Sequence, residues 1–140
     1  MDNTKLTDTE IILIQSSFQK VWDKSKNFGE IFYDKLFKTK PDIVKLFKGD
    51  MKEQARYLTK MVKIVVDGLN NPQIIFPAVQ HLGVQHYEFG VDKKDYKIFG
   101  ACLIECIANQ LGKEFTDKTK DAWQKLYDEL AELMCGNQYK

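Results

Sequence analysis

The chain has 140 residues, 44% of them hydrophobic. That is enough for one ordinary domain burying roughly two-thirds of its unfolded surface, and too little for a second. Twenty-one basic and twenty acidic residues leave a formal charge of +1 with no extended basic block, which argues against the phosphate-binding surface a nucleic-acid partner requires. The start, MDNTKLTDTE, lacks a basic segment followed by an apolar run, and no stretch reaches the roughly 20 apolar residues that span a bilayer. A cytoplasmic protein without membrane contact is expected.

The pattern is helical throughout, in one all-α domain over residues 1–140. Thr7 and Glu10 have capping-box spacing, with Leu6 and Ile11 placed as its hydrophobic staple. The helix they open carries a stripe of Ile11, Ile14, Phe18, Val21 and Trp22 at steps of three and four. Phe28, Phe32, Tyr33, Leu36 and Phe37 form a second stripe, stopped at Pro41. A short helix from Pro41 to Phe47 precedes the turn-forming run Lys48-Gly49-Asp50. Met51, Ala55, Leu58, Val62, Val65 and Leu69 then show the cleanest period of all, which Asn70-Asn71-Pro72 should end.

Pro77 interrupts the next signal, which returns as Val79, Leu82, His86 and Phe89. Asp92 is the expected cap of a helix carrying Tyr96, Phe99, Leu103, Cys106 and Ile107, which Gly112 stops. Thr116 or Asp117 opens the last helix, with Trp123, Leu126, Tyr127, Leu130 and Met134 inside. Cys102, Cys106 and Cys135 are an odd set without disulfide or zinc-knuckle spacing, consistent with a reducing compartment. Cys102 and Cys106, four apart, read as small apolar core residues.

Two histidines carry the chemical question. At 100° per residue His86 lies about 20° from Val79 and about 40° from Leu82, whereas His81 is turned about 140° from it. His86 therefore shares the apolar face and His81 faces solvent. A lone histidine on such a face is by default a core residue satisfied by a hydrogen bond. Gln54, between Leu58 and Met61 on its helix, adds an amide in mid-stripe that would cost on the order of 1–3 kcal/mol if unpartnered. Tyr33 adds a phenol with the same need. Either the pair reaches water at the stripe edges, or Tyr33, Gln54 and His86 surround one ligand cavity.

At these residues the chain resembles a family. PDIVKLF, Pro41 to Phe47, is similar to the proline and haem-wedging phenylalanine of globins. LGVQHYEFGV places His86 where globins carry the proximal iron ligand, Tyr96 follows ten residues later, and AWQKLY, Ala122 to Tyr127, is similar to the last helix of the bacterial group. The resemblance is to bacterial single-domain globins and the haem domain of flavohaemoglobins, over nearly the whole chain. It implies a globin fold of about seven to eight helices around a pocket for haem b.

Carried over residue by residue, the resemblance implies that His86 is the proximal ligand to a pentacoordinate iron. Tyr33 and Gln54 become the distal and catalytic pair, with Leu58 beside them. Phe47 packs on the haem, and Leu82, Phe89, Val91, Tyr96 and Phe99 line the proximal side. Lys48, Arg56 and Tyr57 are candidates for the propionates. In flavohaemoglobins a glutamate on the last helix partners the proximal tyrosine; eleven residues on from Tyr127 this chain has Gln138.

The implied function is tight, reversible dioxygen binding. Phenol and amide hydrogen bonds to a ligand carrying superoxide-like charge are worth roughly 1.5–3 kcal/mol each. Conversion of nitric oxide to nitrate would follow, and because the chain ends at Lys140, an unidentified external reductase is the expected electron source. The other readings are a haem-based sensor or scavenger of oxygen, nitric oxide or sulfide without turnover, and a haem-free helical interaction domain. The expected partners are dioxygen and other diatomic gases, with the chain a monomer or weak homodimer.

Overall fold

A computed structural model describes residues 4–139. In chain order it runs α1 (Asp8–Lys24), α2 (Phe28–Thr39), α3 (Met51–Asp67), α4 (Pro72–Glu88), α5 (Asp95–Leu111) and α6 (Asp117–Cys135). Short 3-10 helices cover Pro41–Leu46, Gly68–Asn70 and Gly112–Glu114, and the described residues contain no strand.

Helix ends follow local chemistry. Thr7 Oγ1 accepts from the Glu10 amide while Glu10 Oε1 accepts from the Thr7 amide, closing the capping box. Thr116 caps α6 by accepting from the Thr119 amide. Asp92 does not cap α5. Asp95 is instead the first helical residue, and its carboxylate accepts from the Asp92 amide and from Lys40 Nζ, 2.9 Å from each. Asn70-Asn71-Pro72 does end the preceding helix, but α3 proper stops at Asp67, and Leu69 falls in the 3-10 turn. Pro72 then takes the first position of α4, where a missing N–H is no loss. Pro77 lies inside α4 without ending it. The carbonyl it leaves unpaired belongs to exposed Gln73, where water can satisfy it.

The core is the meeting of α1, α2, α5 and α6. Ile14, Phe18, Val21, Phe28, Leu36, Cys106, Ile107, Trp123 and Leu126 are almost wholly removed from solvent, and Cys102 is buried with them. The Phe18 ring sits 5.9 Å from Phe28 and 6.1 Å from Trp123. Trp123 Nε1 donates to Ser17 Oγ at 2.9 Å, satisfying the indole inside the core.

Two glycines bring backbones into contact and set the geometry that matters for function. A Cβ at Gly29 of α2 would stand 1.9 Å from the Ala55 carbonyl oxygen of α3, and the Gly29 amide donates to Thr59 Oγ1 at 2.9 Å. A Cβ at Gly83 of α4 would stand 2.1 Å from the Met134 carbonyl oxygen of α6. Thus α3 is held on α2, and α4 on α6. Although only a short turn joins them, α3 and α4 make no extended contact with each other. Each is packed chiefly on a helix other than the one that follows or precedes it across that turn.

Gly83→Ala should therefore push α4 off α6 and cost about 1–3 kcal/mol, the usual range for overpacking. Urea unfolding followed by circular dichroism checks this, with the midpoint expected to fall.

Candidate functional site

Helix α4 carries His86 in its last turn. Its Nδ1 lies 2.7 Å from the Leu82 carbonyl oxygen one turn earlier. That bond requires the proton on Nδ1 and leaves the Nε2 lone pair available. Burial pushes the imidazole below its ordinary pKa, against the opposing effect of the Leu82 bond, so the ring is neutral at physiological pH. His81 is exposed on the same helix.

The backbone of His86 is fixed by the way α4 ends. Gly90 has φ 95°, in the left-handed region. The Val91 amide donates to the His86 carbonyl at 3.0 Å and the Gly90 amide to the Tyr87 carbonyl at 3.1 Å. These are the two bonds of a Schellman motif, with buried Val91 as its apolar anchor. The Val91 carbonyl accepts from the Tyr139 hydroxyl at 2.5 Å. Four residues on, the Lys40–Asp95 ion pair ties the start of α5 to the end of α2.

Tyr96 lies behind the histidine, its ring 6.4 Å from the His86 ring at 29°. Its hydroxyl is buried and has no hydrogen-bond partner among the described residues. Burial raises its pKa well above the ordinary phenol value. Gln138 does not reach it, because α6 ends at Cys135 and Gly136, with φ 46°, turns the chain away from the helical path. Gln138 Nε2 instead donates to the Met134 carbonyl at 3.0 Å. The ring beside Tyr96 at this end of α6 is Tyr139, edge-on at 6.4 Å.

Helix α3 carries Gln54, whose Nε2 donates to Tyr33 Oη on α2 at 3.1 Å. The phenol's own proton takes no part in that bond and remains free to be donated. Burial raises the Tyr33 pKa, with the Gln54 bond acting the other way, so it stays a protonated donor. Phe47 packs edge-on against Tyr33 at 5.2 Å and against Phe37 at 5.5 Å. Leu58, Val62, Phe99 and Leu103 are half-buried apolar residues packed on the core.

Other expected site residues lie elsewhere. Arg56 lines an outer cavity of about 360 Å³ with Lys26 and Glu30 on the α2 side of α3. Two positions from Gln54, it is turned about 160° away on the helix. Phe89, at the C-cap of α4, is 74% exposed and packs on no part of the core. Lys48 and Tyr57 are exposed and make no side-chain hydrogen bond or ion pair among the described residues. Tyr139, Phe37 and the Lys40–Asp95 pair were missed from sequence. Only Phe37 had a signal there, its place on the α2 stripe.

The globin family model matches residues 30–134. The chain belongs to the globin family. This globin is 28% identical over 110 residues to a flavohemoprotein of Bordetella parapertussis, covering 76% of the chain and 27% of that protein. It is 26% identical over 137 residues to a flavohemoprotein of Bacillus subtilis, covering 94% and 34% respectively. It thus spans about a quarter to a third of the length of these relatives.

Two solved structures share its fold. One is a hexacoordinated heme protein from an anhydrobiotic tardigrade, with TM-score 0.83, 17% identity and 93% of each chain covered. The other is a carbene transferase engineered from a candidate nitric oxide dioxygenase of Rhodothermus marinus, with TM-score 0.84 and 23% identity, covering 96% of this chain and 94% of that one. No helix among the described residues is long and apolar enough to cross a membrane.

The half-buried neutral histidine has a measurable cost. In the unfolded chain it binds a proton as pH falls through about 6.5, whereas in the fold its pKa is lowered. The unfolded state then holds more protons, so stability is lost between about pH 6.5 and the lower folded value. Denaturant titrations of the haem-free globin should show this loss on acidification, and His86→Gln should flatten it.

Proposed function

We propose that this globin binds haem b between α3 and α4 through His86 Nε2, holds dioxygen tightly on the Tyr33 and Gln54 side, and converts nitric oxide to nitrate with electrons from a reductase. The observation that supports this reading is that the fold carries both a half-buried imidazole fixed through Nδ1 on α4 and the Gln54–Tyr33 hydrogen bond between α3 and α2.

The donor set suits haem. Among the described residues no group of three or more His, Cys, Asp or Glu could hold a bare metal ion. One imidazole in apolar surroundings fits a metal that brings its remaining ligands with it. Phe47, Leu58, Leu82, Val91 and Phe99 supply apolar surface for a flat macrocycle. The unpartnered Tyr96 hydroxyl near His86 is a donor with no present use, and it suits an acceptor on the proximal side. When bound, haem would supply an iron that takes up dioxygen and lets it react with nitric oxide.

The chain's residues then divide the work. Leu82 holds the imidazole in one tautomer and orientation, which a ligand nitrogen requires. Gln54 holds Tyr33 Oη so that the phenol proton is aimed by a fixed partner. That proton, and the second N–H of Gln54, favour a ligand that gains negative charge. Gln138, bonded to its own helix, supplies no carboxylate behind Tyr96, so strong proximal electron donation is not part of this design.

Reconstituted protein should show a Soret band that shifts on reduction under carbon monoxide. His86→Gly should loosen the haem and His81→Ala should not. Tyr33→Phe and Gln54→Leu should each speed dioxygen release by about one to two decades, the equivalent of 1.5–3 kcal/mol. Stopped-flow mixing of the oxygenated protein with nitric oxide should give ferric protein and nitrate in equal amounts. Slow or substoichiometric conversion would rule out the dioxygenase reading while leaving dioxygen binding intact.

A further inference from the structure

A continuous file of aromatic rings leaves the proximal side. From His86 it passes to Tyr96 at 6.4 Å, from Tyr96 to Tyr139 at 6.4 Å, and from Tyr139 to Tyr87 at 5.2 Å. Burial falls along the same line. Tyr96 is 4% exposed, Tyr139 is half-buried and Tyr87 is 47% exposed. The rings around Tyr33 offer no such exit, because Phe32, Phe37 and Phe47 surround it and phenylalanine is far harder to oxidise than a phenol.

We propose that Tyr96, Tyr139 and Tyr87 carry oxidising equivalents from the His86 site to the surface when peroxide is the oxidant, making Tyr87 an oxidation site for small phenolic or other one-electron hydrogen donors. This rests on haem binding at His86.

The direction of transfer follows from where a proton can go. A phenol becomes a stable neutral radical only if it loses a proton together with its electron. Tyr96 is removed from solvent, so no water takes its proton and an electron vacancy does not settle there. Tyr139 donates to the Val91 carbonyl, a very weak base. At Tyr87 solvent takes the proton, so the vacancy comes to rest there. The balance is one hydrogen peroxide and two phenols giving two waters and two phenoxyl radicals. The O–O bond breaks, each phenol gives one electron and one proton, and external donors restore the phenols by giving one hydrogen atom each.

The test uses haem-loaded protein with its Soret band recorded first. One equivalent of hydrogen peroxide is added with a nitroso spin trap, followed by electron paramagnetic resonance and peptide mass spectrometry. A tyrosyl signal and an adduct on Tyr87 are expected. Tyr139→Phe, which keeps the ring but not the hydroxyl, should cut the Tyr87 adduct several-fold per haem bound, the bound haem being read from the Soret band. Tyr87→Phe, at the surface and away from the core, should abolish both this adduct and dityrosine-linked dimers even if Tyr139→Phe does not fold. Adducts chiefly on Tyr57 or Cys135, or a Tyr87 adduct indifferent to Tyr139→Phe, would overturn the relay alone. A chain that takes up no haem, seen before peroxide is added, would overturn the reading of the site as well.

Discussion

Two backbone crossings without intervening side chains fix where α3 and α4 pack. Where Gly29 meets Ala55, α3 is committed to α2; where Gly83 meets Met134, α4 is committed to α6. Neither helix spends its closest packing on the other, although only the short turn from Asp67 to Pro72 joins them. Had α3 and α4 packed ridge into groove on each other, Gln54 and His86 would have needed partners inside a closed interface. In the observed arrangement each of these polar groups has its own partner, Tyr33 for Gln54 and the Leu82 carbonyl for His86.

Those partners make the site asymmetric. On the α4 side everything immobilises the imidazole: the Leu82 carbonyl holds its Nδ1, the Schellman bonds hold its backbone, and Tyr139 and the Lys40–Asp95 pair hold the loop that follows. On the α2 and α3 side the amide-to-phenol bond leaves donor protons unspent. The first arrangement suits a ligand atom that must not move or change charge, and the second suits a guest that gains negative charge on arrival. Burial serves both, disfavouring the imidazolium at His86 and the phenolate at Tyr33.

Much of this was legible before the fold was known. Helical phase separated His86 from His81 and put Gln54 in mid-stripe, because a helix repeats every 3.6 residues whatever it packs against. The need of a buried amide for a partner pointed to Tyr33 without revealing that the two bond each other. The propionate candidates fared differently. Arg56 is close to Gln54 in sequence and nearly opposite it in space, and periodicity would have shown this had it been applied there. Phe89 continues the α4 stripe on paper, but the Gly90 turn ends the helix just before it takes its place.

The sequence by itself determined the helices and most of their buried faces, and it singled out polar groups on apolar stripes, since capping, periodicity and the cost of unpartnered polar groups act within a few turns of chain. Only the tertiary structure decided which helices α3 and α4 pack on, that Gln138 folds back on Met134, that Tyr139 takes the place beside Tyr96, and that Asp95 pairs with Lys40. The last two depend on contacts between residues some 40 or more positions apart, and a reversal such as Gly136 redirects every residue after it. No count along one helix can follow the chain through such a turn.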